Sequence, residues 1–320
     1  MVMEYQERVN AFYESQLRAW PLLGYNHAKL EDVRLRTIQF GDFTMRVQFN
    51  PARITSSAAK VDPVSVKHRK CFLCAENRPP QQKSLKFGNA YEILCNPFPI
   101  FREHLTIART VHTPQVIGTE VTWLLELSRA LPGLVVFYNG PDCGASAPDH
   151  MHFQAGSRGI LPIEEELPVL VKRYGKPVAE SPGFTAVAMD DGLRRMILLE
   201  SDVKERIKDA FIPIDDFTKQ LREGGESMLN ILAYYSDRWQ IFVFPRDRHR
   251  PRQFFEKGEK NILLSPAAVD LGGLLITPLE KDFNQISGDD IRDIFAQVSM
   301  REDRFGALLD HLVSAWSHKK

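Results

Sequence analysis

Apolar and polar positions in the first part of the chain follow two different periods. Five apolar side chains recur at helical spacing near the start and predict an amphipathic helix: Val9, Phe12, Tyr13, Leu17 and Trp20. Residues 33–49 alternate with the period of two that is typical of strands, on both sides of a turn at Gly41-Asp42. The polar, proline-rich stretch 51–89 predicts mostly loop.

Short apolar runs separated by turn residues fill the next hundred positions. They predict strands over 91–96, 104–108, 134–139 and 150–155, and a helix over 115–131. Segment 159–181 is rich in glycine, proline and glutamate, as is typical of a linker.

A similar order of elements recurs beyond this segment. The pattern predicts two strands around 190–192, helical stretches near 202–235, strands at 239–244 and 273–277, and a helix from 289 onward. We therefore expect an α+β fold of two related halves, residues 1–158 and 182–320, built on mainly antiparallel sheets.

The balance of charge and the lengths of the apolar runs exclude several classes of protein. The chain has 41 Lys and Arg against 41 Asp and Glu, which argues against non-specific nucleic-acid or anionic-membrane binding as its main work. Its apolar runs are shorter than the ~18 residues of a membrane span, and residues 1–20 do not resemble a secretory signal. Four cysteines are too few for a disulfide framework. We expect a cytoplasmic protein with no membrane partner.

One predicted strand carries two histidines and a glutamine at alternate positions. Because side chains alternate across a strand, His150, His152 and Gln154 share one face, while the residues between them pack on a core. An unperturbed imidazole has a pKa near ~6.5, so it is largely neutral and nucleophilic at pH 7. The alternative is a polar strand face on which the histidines are incidental.

Small residues precede this strand in the loop Gly144-Ala145-Ser146. Such residues let a ligand approach the backbone, and a concavity lined by backbone amides is a common anion site. Together with two imidazoles and an amide, this loop indicates phosphate chemistry.

Cys71 and Cys74 form a Cys-x-x-Cys pair, which can chelate a metal ion but also occurs in redox motifs. Zinc prefers four ligands, and two cysteines with two histidines would complete a tetrahedral structural site. The candidate histidines are first His104 and His150, and then His68 and His112.

Several motifs follow one another over residues 45–155. They are Asn50-Pro51-Ala52-Arg53, Cys71-Phe72-Leu73-Cys74-Ala75-Glu76-Asn77, Tyr91-Glu92-Ile93-Leu94-Cys95-Asn96-Pro97-Phe98, Glu103-His104-Leu105, and Gly144-Ala145-Ser146 leading into His150-Met151-His152-Phe153-Gln154. In this order they resemble the galactose-1-phosphate uridylyltransferase branch of the histidine-triad (HIT-like) superfamily, which includes dinucleoside polyphosphate phosphorylases and GDP-hexose phosphorylases. In the second half, Phe244-Pro245-Arg246 and Ser265-Pro266-Ala267 resemble the phosphorylase members.

The resemblance implies a HIT-like fold and transfer of a nucleoside monophosphate through a covalent histidine intermediate. His152 is the implied nucleophile, and its attack on the α-phosphorus would split the transfer into two in-line displacements. The residues expected to hold the phosphoryl group are Gln154, Ser146, Asn139, Gly144 and Ala145.

The resemblance also implies a structural zinc ion. The family's ligand set falls on Cys71, Cys74, His104 and His150. With four protein ligands the ion would have no open position, so it would shape the site rather than activate water.

Two arginines and an asparagine are expected to bind substrate. Arg53 matches an arginine that contacts substrate phosphate, and Asn96 matches a residue of the nucleoside pocket. Arg246 begins a basic loop, 246–252, that either binds the phosphate of an acceptor substrate or is a solvated surface loop.

Two departures from the uridylyltransferase pattern favour the phosphorylases. The second arginine of the family's Arg-x-x-Arg is Ser56, and the nucleophile motif is His-Met-His-Phe-Gln rather than His-Pro-His-Gly-Gln. The expected substrate is an NDP-sugar or dinucleoside polyphosphate, with phosphate or a sugar phosphate as acceptor.

Two alternatives stay open. A HIT-type nucleotide hydrolase would have a third histidine where Gln154 stands. A non-catalytic, zinc-containing module that binds nucleotide or nucleic acid is favoured by the basic loop and opposed by the charge balance. A second copy of the chain, in a homodimer, is a further candidate partner.

Overall fold

The computed structural model describes residues 2–54, 61–222 and 225–317. Elements of the first part are α1 Val2–Ala19, α2 Pro21–Ala28, β1 Arg34–Phe40, β2 Phe43–Phe49, α3 Pro63–His68, β3 Ser84–Phe87, β4 Tyr91–Cys95, β5 His104–Arg109, α4 Val121–Ala130, β6 Leu134–Asn139 and β7 His152–Ser157. They continue as α5 Pro162–Tyr174, β8 Gly175–Ser181, β9 Phe184–Asp190, β10 Arg195–Ser201, α6 Lys204–Gln220, β11 Leu229–Tyr235, β12 Trp239–Pro245, α7 Ala268–Leu271, β13 Leu274–Thr277, α8 Glu280–Gln285, α9 Gly288–Val298 and α10 Glu302–Ser317.

Ten strands form one antiparallel sheet, in the order β3-β4-β5-β7-β6-β11-β12-β10-β9-β8. Strands β3 to β7 come from the first half of the chain and β8 to β12 from the second. The two sets meet where β6 pairs with β11, with Asn139 opposite Asn230. The expected α+β fold with mainly antiparallel strands is confirmed.

Each face of this sheet packs on its own apolar core. Alternate residues of β6 show the division, because Leu134 and Val136 enter one core while Val135 and Phe137 enter the other. The first core lies under helices α1, α4, α6 and α10. The second lies under α5, α9 and a small sheet of β1, β2 and β13.

The small sheet joins distant parts of the sequence. β1 and β2 form an antiparallel hairpin, and β13 adds to β2 in parallel, with Leu274 opposite Arg46 and Thr277 opposite Phe49. The chain leaves β2 into a short 3-10 turn, Pro51–Arg53. Because β13 pairs with the last residues of β2, it holds the end of this strand and so positions the turn that carries Arg53.

Three elements differ from the sequence expectations. Segment 159–181, expected to be a linker, forms α5 and β8; β8 is an edge strand with mostly exposed side chains, so its composition is polar. Residues 229–235, expected to be helical, form the central strand β11, whose apolar run is buried on both faces and has no period of two. The helix expected over 115–131 spans only Val121–Ala130.

Within the described ranges, no helix has both the length and the apolar character needed to cross a membrane.

A buried ion pair ties the hairpin β9–β10 to the second core. Arg194 is fully buried, donates to Asp191 and to the carbonyl of Leu271, and lies over the ring of Phe43 at 4.8 Å. Asp191 also accepts from the backbone N–H groups of Leu193 and Arg194.

Asp191→Ala should lower the free energy of unfolding by about 3–5 kcal/mol, because it leaves a guanidinium buried without its counter-charge. Urea denaturation measures this. Asp190→Ala is the control, since this neighbouring carboxylate pairs with Arg195 near the surface and should cost under about 1 kcal/mol. Equal losses in the two variants would contradict the argument.

Candidate active site

A cavity of about 460 Å³ lies over the large sheet where β5, β7 and β6 run side by side. Side chains from these three strands form its floor: Thr106, His152, Gln154, Phe137 and Asn139. Loops 96–100 and 144–146 of the first half contribute its walls, together with loop 249–250 and the segment 263–270, which runs into α7, of the second half. Both halves of the chain therefore contribute to one site.

His152 lies on the floor of this cavity and is 3% exposed. Its Nδ1 lies 2.8 Å from the carbonyl oxygen of His150, which assigns the proton to Nδ1 and the lone pair to Nε2. Burial lowers the pKa of His152 to about 4. The imidazole is therefore neutral at pH 7, in the tautomer that a nucleophile requires.

Gln154 lies two residues further along the same strand face, directly opposite Thr106 of β5. Its Oε1 lies 3.1 Å from Nε2 of His104, whose Nδ1 accepts from the backbone N–H of Ile100. His104 must therefore donate to Oε1, which leaves the amide NH₂ of Gln154 as the group that can donate into the cavity.

His104, an expected metal ligand, is not among the candidate ligands that the structure brings together. His104 is fully buried beneath the cavity floor, and burial lowers its pKa to about 3. It lies at the first residue of β5, whereas the cysteine loop lies near the other end of that strand. The histidine that reaches the cysteines is His112, which follows the last residue of β5 by three positions.

Cys71, Cys74, His112 and His150 form a compact cluster in which the four ligand atoms lie within 4.8 Å of one another. Sγ of Cys71 lies 3.3 Å from Nδ1 of His150, and Sγ of Cys74 lies 3.2 Å from Nδ1 of His112. Two sulfur and two nitrogen atoms at these separations can hold a metal ion. His68, the other substitute considered, is exposed on α3.

Neighbouring groups orient the two imidazoles of this cluster. Nε2 of His150 donates to the carbonyl of Arg109 at 2.7 Å, so the lone pair on Nδ1 faces the cysteines. Nε2 of His112 lies 3.9 Å from the carboxylate of Asp149. A hydrogen-bond partner on the outer nitrogen, as His150 has, is typical of metal-binding histidines. Burial and the Cys71 thiol raise the pKa of Cys74 to about 11, a shift that a bound cation would oppose.

The small-residue loop lines the cavity as expected, with Gly144, Ala145 and Ser146 all on its wall. Gly144 has φ +97°, and a Cβ there would lie 2.7 Å from the Cβ of Ala267. Only glycine allows the two loops to approach this closely. The loops of the two halves therefore pack directly on each other at the cavity wall.

Arg53 and Asn96 also line the cavity. Arg53 donates from Nη1 to the carbonyl of Phe98 at 2.6 Å, and burial lowers its pKa to about 10. The Asn96 amide accepts from the backbone of Phe98 and donates to Thr106, so it shapes the turn after β4. Ser56, the departure from the family's second arginine, lies outside the described residues.

Arg246 does not line the cavity, contrary to expectation. Its guanidinium is buried and makes five hydrogen bonds, to the side chain of Asn230 and to the carbonyls of Val298, Pro266, Arg248 and His249. β12 ends at the preceding residue, and the Arg246 side chain enters the interior instead of the loop surface. The basic loop does reach the cavity, but through His249 and Arg250.

Sequence reasoning missed Gln115, a buried residue between β5 and α4. Its Oε1 accepts from the backbone N–H of His152 at 2.8 Å, and its Nε2 donates to the carbonyls of His152 and Asn139 at 2.9 and 3.0 Å. One side chain thus fixes the start of β7 and the end of β6. A single glutamine in a loop gives no sequence signal for this role.

Gln115→Leu should lower the free energy of unfolding by about 2–4 kcal/mol, because it leaves three buried backbone groups without their partner. Chemical denaturation measures the loss, and Gln81→Leu, at an exposed position, provides the matched control. A change no larger than that of the control would show that Gln115 does not support the site.

Two family models match this chain. Residues 12–157 match a domain of unknown function (DUF4922), and residues 195–319 match the GDPGP1-like C-terminal domain. No curated protein matches the chain.

Solved structures with the same fold include two of yeast Ap4A phosphorylase Apa2. The complex with Ap4A is 16% identical and has a TM-score of 0.63, covering 92% of this chain and 97% of that chain. The complex with AMP is 14% identical with a TM-score of 0.58, covering 89% and 96%. An ADP-glucose phosphorylase from Arabidopsis thaliana with bound ADP-glucose is 14% identical and covers 80% and 99%, with a lower TM-score of 0.38.

These matches agree with the motifs found in the sequence. The yeast structures share the fold of this chain over most of both lengths, and the C-terminal model covers most of the second half. The chain therefore shares the fold of the yeast Ap4A phosphorylase structures, and its second half matches the GDPGP1-like C-terminal domain, in agreement with the resemblance seen in its motifs.

Proposed function

We propose that this protein is a nucleotide phosphorylase or nucleotidyltransferase that transfers a nucleoside monophosphate through a covalent adduct on His152. The substrate is an NDP-sugar or a dinucleoside polyphosphate, and the acceptor is phosphate or a sugar phosphate. The observation that carries the proposal is a neutral, buried imidazole in a cavity whose walls present buried polar groups without protein partners.

Four such groups line this cavity. Nε of Arg53, Nε of Arg69, Nε2 of His249 and Oγ of Ser265 are buried and have no hydrogen-bond partner among the described residues. The two arginine Nε–H groups and the Ser265 hydroxyl can donate hydrogen bonds. Burial lowers the pKa of His249 to about 4. Buried donors of this kind are costly unless a ligand accepts from them. A phosphate group supplies several strong acceptor oxygens, so it fits these walls.

The chemistry follows from the tautomer of His152. Its Nε2 lone pair attacks the α-phosphorus, an N–P bond forms, and the bond from phosphorus to the leaving-group oxygen breaks with its electron pair. An oxygen of the acceptor then attacks the same phosphorus, and the N–P bond breaks to regenerate the imidazole.

Gln154 and the arginines would stabilise the transferred group. The amide NH₂ of Gln154 can donate to a phosphoryl oxygen, since His104 occupies its Oε1. Arg53 adds positive charge at the cavity wall. Because the amide is not an acid, it suits transfer to an acceptor better than hydrolysis.

Incubation with α-phosphate-labelled NDP-sugars and dinucleoside polyphosphates should leave label on the wild-type protein and none on His152→Ala. His68→Ala removes an exposed histidine from α3 and should keep the label. Gln154→Ala should slow labelling by roughly 10²–10³-fold, the loss seen when one oxyanion donor is removed. Mass spectrometry locates the adduct; an adduct on any other residue, or none at all, overturns the proposal.

We further propose that zinc occupies the cluster of Cys71, Cys74, His112 and His150. Four protein ligands leave no open position for water, so the ion would fix the loop that carries Phe72 and Leu73 at the cavity wall. It would also commit the Nδ1 lone pair of His150, which leaves His152 as the free imidazole of the pair.

Metal analysis should find one zinc ion per chain in the wild-type protein and little or none in His112→Ala. His104→Gln is the matched control and should retain the metal, because His104 lies outside the cluster. Removal of zinc by a chelator should lower the melting temperature of the wild type. Loss of zinc from His104→Gln with retention in His112→Ala would restore the ligand set expected from the sequence.

A further inference from the structure

Arg69 lies at the wall of the active-site cavity, two residues before Cys71, and no motif in the sequence marks it. Its Nη2 donates to the carbonyl of Ser146 at 3.0 Å and to Oδ1 of Asp149 at 2.9 Å. The guanidinium also lies 4.9 Å from the centre of the Phe72 ring. Three contacts therefore hold this arginine in one place beside the small-residue loop.

The guanidinium retains donor capacity after these contacts are made. Its Nε is buried and has no partner among the described residues, while both contacts that are made to oxygen use Nη2. A guanidinium has five N–H donors in a rigid plane, and this geometry matches the oxygens of a phosphate. Arg69 is thus fixed on one side and open to an anion on another.

We propose that Arg69 is a catalytic residue that binds the phosphoryl group transferred to His152, with Asp149 as its positioning residue. The inference rests on the proposed function and adds to it. Arg69 and His152 line the same cavity, and Arg69 donates to the carbonyl of Ser146 in the loop Gly144-Ala145-Ser146, which lines that cavity too.

Asp149 orients Arg69 without neutralising all of its donors. The side chains of Arg69 and Asp149 are 25% and 20% exposed, so their ion pair is shielded from much of the solvent. The other carboxylate oxygen lies 3.9 Å from Nε2 of His112 in the metal cluster. One carboxylate therefore links the arginine of the cavity to the cluster that holds the loop.

Substitutions at Arg69 and Asp149, with a control at Lys70, test this inference. The measured quantities are the rate of adduct formation with α-phosphate-labelled substrate and the affinity for AMP and GMP by calorimetry. Arg69→Gln should slow adduct formation by roughly 10²–10³-fold, as expected when a charged donor to the transferred phosphoryl is lost. Arg69→Lys should recover part of that rate, because it restores the charge but not the planar donors. Asp149→Asn should lose less than Arg69→Gln.

The matched control is Lys70→Gln, which removes the same charge from the neighbouring, exposed residue and should leave rate and affinity unchanged. A second readout separates binding from a structural role: millimolar guanidinium should restore adduct formation in Arg69→Ala and should not change the rate of Lys70→Gln. If Arg69→Gln does not fold, the rate of Arg69→Lys is compared with that of Lys70→Gln. A slower rate in Arg69→Lys supports the inference, and an equal rate contradicts it.

The outcomes distinguish two failures. If the wild type forms an adduct, and Arg69→Gln and Arg69→Lys both react as fast as Lys70→Gln, the role of Arg69 is overturned while the proposed function stands. If the wild type binds AMP or GMP but forms no adduct, the proposed function is wrong and the inference fails with it.

Discussion

The architecture depends on the pairing of β6 with β11, and a buried polar network makes this junction specific. Asn230 donates to Oδ1 of Asn139 and to the carbonyl of Cys143, each at 2.7 Å, and accepts from Arg246 at 2.5 Å. Oδ1 of Asn139 also accepts from the backbone N–H of Ala268. Since polar groups without partners are costly in an interior, this network favours one register of the two strands. The same bonds fix the loops that face the cavity from each half.

This junction explains why Arg246 has a structural role. A buried guanidinium that binds four carbonyls and an amide holds the start of the basic loop, and the cavity-facing positions fall on His249 and Arg250. The sequence identifies the loop as basic, but it does not distinguish the arginine that enters the interior from the residues that line the cavity. That distinction depends on where β12 ends.

Local patterns were sufficient for the antiparallel fold and for the strand that bears His152, the proposed nucleophile. His152, Gln154 and the small-residue loop were predicted because the alternation of side chains on one strand is visible in the sequence. The choice between His104 and His112 was not, because it depends on which end of β5 lies beside the cysteine loop. Gln115 was missed for a similar reason: its three bonds join segments that come together only in the folded protein.

The parallel addition of β13 to β2 has a consequence for how the chain is made. β2 ends at Phe49, but its partner strand ends at Thr277, so more than two hundred residues must leave the ribosome before this edge is covered. Until then the hairpin of β1 and β2 exposes one unpaired edge of β2, and an open strand edge is a site where chains aggregate. Contacts between residues this distant in sequence also form slowly. We therefore expect biosynthesis of this protein to depend on chaperones more than its balanced charge and ordinary composition suggest.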